Sequence, residues 1–200
     1  MKTTVLAIHG GNTFNTYEEY INNLNSKTVD LDRLRYGVGW KDTITSDLGD
    51  NYDVFLPSMP NSNNAQYNEW KIWFEKVMAA MPQKLILVGH SMGGIFLAKY
   101  LSENTINNEI TALLLVAAPY TSTPEENLAS FELGNNVSSL NNASENIVLY
   151  HSQDDEVVPI ADLYEYQQQL PNAEAVTFND RGHFLQEHFP ELVEKIKHLS

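Results

Sequence analysis

The sequence predicts an α/β fold in which a parallel sheet is covered by helices on both faces, and three observations carry that expectation. Apolar runs of strand length alternate along the chain with longer stretches of helical period. The runs are apolar throughout rather than at every second residue, as strands buried on both faces require. Finally, the 200 residues are 42% hydrophobic and contain no Pro/Gly/Ser-rich linker, so a single domain over residues 1–200 is expected. Right-handed crossovers then put any chemistry at the carboxyl ends of the strands.

The elements follow in order. Val5-Leu6-Ala7-Ile8 is the first strand and runs into His9-Gly10-Gly11-Asn12, where small residues let the backbone approach a ligand closely. Helical segments are expected over Thr16–Ser26 and Trp40–Leu48. The connection from Thr13 to Asp50 is long for one crossover, so it can drape over a pocket. That makes Phe14, Tyr17, Tyr36 and Trp40 candidate pocket walls, with Asn12 at the loop and Tyr120 after the fourth strand as further candidates.

The second strand, Tyr52 to Leu56, is closed by Pro57. Asn63–Met81 reads as an amphipathic helix with Trp70, Trp73, Phe74, Val77 and Met78 on its inner stripe. Leu85–Val88 is the third strand, and Ile95–Leu101 lies in the helix that follows. Ile110–Ala117 is the fourth strand. The polar stretch after it, Thr121 to Glu145, has room for one short helix near Glu125–Leu133, so any cover over the site is small. Strand Ile147–Tyr150, helix Ile160–Leu170, strand Ala175–Phe178 and helix Phe189–Leu199 complete the chain.

The third strand carries the chemical signal. It ends in Gly89-His90-Ser91-Met92-Gly93, a G-x-S-x-G that passes straight into a helix. A strand-to-helix turn this sharp crowds its flanks, which explains glycine two residues before and two after the serine. Ser91 is then held at the turn apex in a strained backbone conformation. The Met92 N–H points into the same space, and a donor from the first loop, Gly11 or next Asn12, can complete an oxyanion hole.

A serine hydroxyl needs a base to take its proton, and the base needs an acid to hold its tautomer. Of six histidines, only His183 occupies a glycine-flanked loop after the last strand. His9 reads as a supporting residue and His90 as pointing away inside the turn. The acid falls in Asp154-Asp155-Glu156-Val157-Val158-Pro159. Asp155 is preferred, because D-x-x-V-P places it at a proline-anchored loop, and Asp154 is the reserve and the better turn-capping residue. Ser91, Asp155 and His183 follow the third, fifth and sixth strands, in the chain order expected of such a turn.

Composition narrows the rest. There is no cysteine, which excludes disulfides, thiolate metal sites and a cysteine nucleophile. A net charge of −14 disfavours nucleic acid and anionic membranes as partners. The first apolar segment is too short for a signal peptide and no run reaches membrane-spanning length, so a cytoplasmic protein is expected.

Through H-G-G after the first strand, G-H-S-M-G-G, D-D-x-V-V-P and R-G-H-F, the chain resembles the α/β-hydrolase superfamily. More narrowly it is similar to the small lidless serine hydrolases of the retinoblastoma-binding-protein and YdeN type, over almost its whole length. The resemblance implies a three-layer α/β/α sandwich whose six parallel strands lie in the order 2-1-3-4-5-6. It implies Ser91 as nucleophile, Asp155 as acid, His183 as base and the Gly11 and Met92 amides as oxyanion donors. The expected activity is cleavage of small-molecule carboxylic esters or thioesters through an acyl-enzyme, with neither cofactor nor metal. A binding or regulatory protein with a vestigial triad, and amide, carbon–carbon or perhydrolase chemistry, are the alternatives.

Overall fold

The computed structural model describes residues 2–29, 31, 39–123, 127–134 and 136–200. Its strands are β1 (Thr3–Ile8), β2 (Tyr52–Phe55), β3 (Lys84–His90), β4 (Glu109–Val116), β5 (Ile147–Ser152) and β6 (Glu174–Phe178). They form one parallel sheet in the order β2-β1-β3-β4-β5-β6. Among the described residues the helices are α1 (Tyr17–Ser26), α2 (Trp40–Leu48), α3 (Tyr67–Ala80), α4 (Met92–Glu103), α5 (Ile160–Gln169) and α6 (Pro190–His198).

Side chains of the central strands alternate between two cores. Leu6, Ile8, Leu85, Leu87, Leu113, Leu115 and Leu149 face one core, shared with Trp70 and Phe74 of α3, Phe96 and Leu97 of α4 and Leu163 and Tyr166 of α5. Val5, Ala7, Ile86, Val88, Leu114, Val116, Val148 and Tyr150 face the other, with Trp40, Ile44 and Leu48 of α2 and Leu192, Val193 and Ile196 of α6. Both faces are therefore apolar, which is why the sequence runs lack polar alternation.

Two expectations need correction. The predicted helix over Asn63–Met81 begins at Tyr67, after a separate 3₁₀ turn at Ser62–Asn64. Its buried stripe is Tyr67, Trp70, Phe74 and Met78. Trp73 is 41% exposed, because the residue before Phe74 lies about 100° round the helix from it. In the stretch after β4, the expected helix over Glu125–Leu133 falls partly outside the described residues. What is described there is a pair of 3₁₀ turns, Ala129–Phe131 and Ser138–Asn142, each anchored by one buried apolar side chain, Phe131 and Leu140.

The carboxyl ends of β1, β3, β5 and β6 bring the His9–Asn12 loop, the Ser91 turn, the Asp154–Asp155 loop and the His183 loop to one edge of the sheet.

Candidate active site

Ser91 sits between β3 and α4 with φ 54° and ψ −123°, a region that L-residues avoid, so the surrounding packing must hold it there. Its N–H bonds the Val116 carbonyl of β4 at 2.8 Å. The flanking glycines explain themselves sterically. A Cβ on Gly89 would lie 2.6 Å from the Gly93 carbonyl oxygen, and one on Gly93 would lie 2.6 Å from that of His9. The turn therefore closes only with glycine at both positions. Met92 is the first residue of α4, so its N–H has no partner four residues back within the helix.

Gly10 lies directly against the serine; a Cβ there would be 3.1 Å from Ser91 Cβ. The next two residues turn towards the β2–α3 connection, where Asn12 N–H donates to Ser62 O (2.8 Å) and Ala65 N–H to Asn12 O (2.8 Å). The Asn12 amide is thus engaged with Ser62 rather than turned to the serine. Gly11 itself is packed so tightly on Ser62 O that a Cβ would come within 2.6 Å of it. His9 braces the loop from behind. Its Nε2 accepts the Met59 N–H at 2.8 Å and its Nδ1–H donates to the Gly10 carbonyl.

His183 donates from Nδ1 to Asp155 Oδ2 (2.9 Å) and Oδ1 (3.1 Å). Asp155 Oδ1 also accepts the Val157 and Val158 amides at 2.9 and 3.0 Å. Burial pushes the Asp155 carboxyl up, but the His183 bond and charge and those two amides outweigh it, so it stays below its ordinary 3.8 and is ionised. Asp154 does the capping. It accepts from Ser152 Oγ and, at 2.9 Å, from the Gly182 N–H of the His183 loop. His151, buried behind Asp155, donates from Nε2 to Val158 O (2.9 Å), and burial keeps its ring neutral.

The structure brings Ser91, Asp155 and His183 to one rim. The carboxylate–imidazole link is made, and no hydrogen bond joins Ser91 to His183 among the described residues. With Nδ1 turned to Asp155, Nε2 is the nitrogen left for the serine side.

The candidate pocket residues fare differently. Trp40 is 1% exposed in the core of the α2–α6 face and is not a pocket wall; its indole N–H donates to Phe184 O (3.0 Å). The aromatic belongs to packing because α2 turns Trp40, Ile44 and Leu48 into the core on that face of the sheet. Phe14 is half-buried against Tyr20, and Tyr120 packs edge-on to Tyr166 with its N–H bonded to Asp162. Asn12 is exposed, and Tyr36 lies outside the described residues. A polar cleft of about 550 Å³ lies between α1 and the β2–α3 connection, lined by Tyr17, Tyr20, Met59, Asn61 and Ser62 among others. The first loop reaches this cleft through Ser62, whose carbonyl accepts the Asn12 N–H. Sequence reading missed Met59, Asn61 and Ser62, since nothing local marks the β2–α3 connection as lying against the first loop.

A family model described as serine hydrolase matches residues 39–199. The chain is 26% identical over 151 residues to the serine hydrolase RBBP9 of Rattus norvegicus, covering 74% of this chain and 78% of that protein. Its fold is similar to the ydeN gene product from B. subtilis, with a TM-score of 0.77 and 18% identity over 99% of this chain and 98% of that one. It is also similar to the 2-hydroxy-6-oxo-6-phenylhexa-2,4-dienoate hydrolase of Rhodococcus sp. strain RHA1, with a TM-score of 0.66 and 14% identity over 98% and 89% of the two chains. With four-fifths of its length matched by that family model and the minimal six-stranded sheet in place, the chain belongs to the serine hydrolase family.

Proposed function

We propose that the protein cleaves carboxylic esters or thioesters of small molecules through an acyl-enzyme on Ser91. The observation that carries the reading is the bonded Asp155–His183 pair on the same sheet edge as a serine held at φ 54°. His183 Nε2 takes the Ser91 proton as Oγ attacks the carbonyl carbon. The tetrahedral oxyanion lies between the Gly11 and Met92 N–H groups, and His183 then protonates the leaving group. Water, deprotonated by the same imidazole, cleaves the acyl-enzyme. Asp155, ionised and sealed from solvent, stabilises the imidazolium at each step. The Ser91–His183 hydrogen bond closes when substrate fills the rim, as such contacts commonly do on going from the free enzyme to the complex. A cytoplasmic setting fits a chain without cysteine.

A fluorophosphonate probe tests the reading. Wild-type protein is expected to be labelled at Ser91, and Ser91→Ala to lose both labelling and p-nitrophenyl acetate hydrolysis. Labelling that survives in Ser91→Ala places the nucleophile elsewhere, and no labelling of wild type favours a binding protein with a vestigial triad. A screen of acyl esters, acyl thioesters and amides then sorts the bond type.

A further inference from the structure

His90 lies next to the candidate nucleophile, and the sequence reading set it aside. In the structure it is buried and bonded on both sides. Lys41 Nζ, from α2, donates to His90 Nδ1 at 3.0 Å. His90 Nε2–H donates to the main-chain carbonyl of His183 at 2.9 Å. The ammonium has protons to give and no lone pair, so while Lys41 is charged His90 must keep its proton on Nε2. The carbonyl of His183 accepts only that proton. We propose that Lys41 and His90 form a positioning relay: the Lys41 charge fixes the His90 tautomer, and that tautomer holds the His183 loop at the distance the serine chemistry needs. The inference rests on the reading of His183 as the base.

Other contacts show that α2 is built as the brace for this loop. Trp40 N–H donates to Gln186 O (2.8 Å), its indole N–H to Phe184 O (3.0 Å), and Thr43 Oγ1 to Glu187 O (2.7 Å). Those bonds do not depend on pH, whereas the Lys41–His90 link does. Burial pulls the Lys41 ammonium down to about 8, against the neighbouring Asp42 carboxylate, which raises it. Burial, then the charges of Lys41 and His183 and, more weakly, His9, keep His90 neutral. Beyond these, the charged group on the far side of the relay is Asp155, paired with His183.

When Lys41 gives its proton to solvent, its amine gains a lone pair and can accept a hydrogen bond. His90 can then lose its Nε2 proton to water and take one from water at Nδ1. That exchange leaves a lone pair facing the His183 carbonyl, and the loop is released. The relay therefore adds an alkaline limb to activity at the Lys41 ionisation, separate from the acid limb set by a base that must be neutral to work.

The test uses the full-length protein and p-nitrophenyl acetate, with kcat and KM followed from about pH 6 to 10. Wild type is expected to lose kcat above about pH 8. Lys41→Met is expected to lower kcat at neutral pH by about 10- to 100-fold, with little change in KM, and to erase the alkaline limb. Lys41→Arg, which stays charged, is expected to move that limb beyond the range tested. His90→Gln, which keeps a donor for the carbonyl but has no tautomers, is expected to retain activity and lose the limb. An alkaline limb that is unchanged in Lys41→Arg and His90→Gln overturns the proposal.

A second readout is independent of catalysis. Imidazole ¹⁵N shifts, assigned against His90→Gln, are expected to show Nε2–H at about pH 7 and a change in the nitrogen shifts near pH 8. Protonation on Nδ1 at neutral pH overturns the relay. Because the ¹⁵N measurement reads it without turnover, failure of wild type to react with the fluorophosphonate removes the proposed function and is told apart from failure of the relay.

Discussion

Between β1 and β2 the chain makes two helices, and they are attached to the molecule in different ways. No residue of α1 is buried; Tyr17 is 70% exposed, and the ring contacts of the helix, Phe14–Tyr20 and Tyr17–Tyr20, are local to it and the segment just before it. Helix α2 buries Trp40, Ile44 and Leu48 and hydrogen-bonds to the loop that carries His183. Residues from one connection thus supply both an exposed rim for the cleft and an internal support for the candidate base. The lesson is that a residue far from the site in sequence, such as Trp40, can support the loop that carries the candidate base without lining a pocket.

Cutting into the two helices should separate these roles. The largest effect is expected for Trp40→Ala, which leaves a cavity in the core and removes the bond to Phe184 O; a loss of about 3–5 kcal/mol is expected from urea unfolding, with a fall in kcat. Ile44→Ala, equally buried but without that bond, is expected to cost about 2–5 kcal/mol in the same measurement, with kcat at the unfolding-corrected concentration close to wild type. Equal loss of kcat in both would mean that α2 supports the site through packing alone.

The pH dependence of stability sharpens the same contrast. Native Lys41 releases its proton at about 8, whereas the unfolded chain holds it up to the ordinary 10.5. Across that window the unfolded state binds more protons, so Lys41 contributes a rise in stability with pH. The urea midpoint of wild type relative to Lys41→Met should therefore increase from about pH 8 to 10. The smallest effect is expected on α1, where Tyr17→Ala should change stability by no more than about 0.5 kcal/mol. Its signature is a raised KM for esters large enough to reach the cleft, with kcat on p-nitrophenyl acetate unchanged. A stability loss as large as that of Ile44→Ala would show that α1 is part of the core after all.

Much of this was legible before any coordinates. The buried strands announce themselves because both faces of the sheet are covered, so every residue of Leu85–Val88 must be apolar. The serine turn is legible because its geometry admits only glycine at 89 and 93. What could not be read was which aromatic faced where. Trp40 and Trp73 look alike in a helical pattern, yet one is core and the other 41% exposed, because helix orientation is set by contacts with distant strands. Preference for Asp155 over Asp154 rested on loop spacing; both turn out to bond the His183 loop, Asp155 at the imidazole and Asp154 at the Gly182 amide.

The sequence by itself determined the parallel α/β architecture, the turn that displays Ser91 and the set of residues able to serve as acid and base. These follow from local sterics, periodicity and residue chemistry. Only the tertiary structure decided that the Asn12 amide is taken by Ser62, that the cleft lies between α1 and the β2–α3 connection, and that Lys41 reaches His90. Hydrogen bonds between segments dozens of residues apart depend on how the helices settle on the sheet, and no local pattern encodes that.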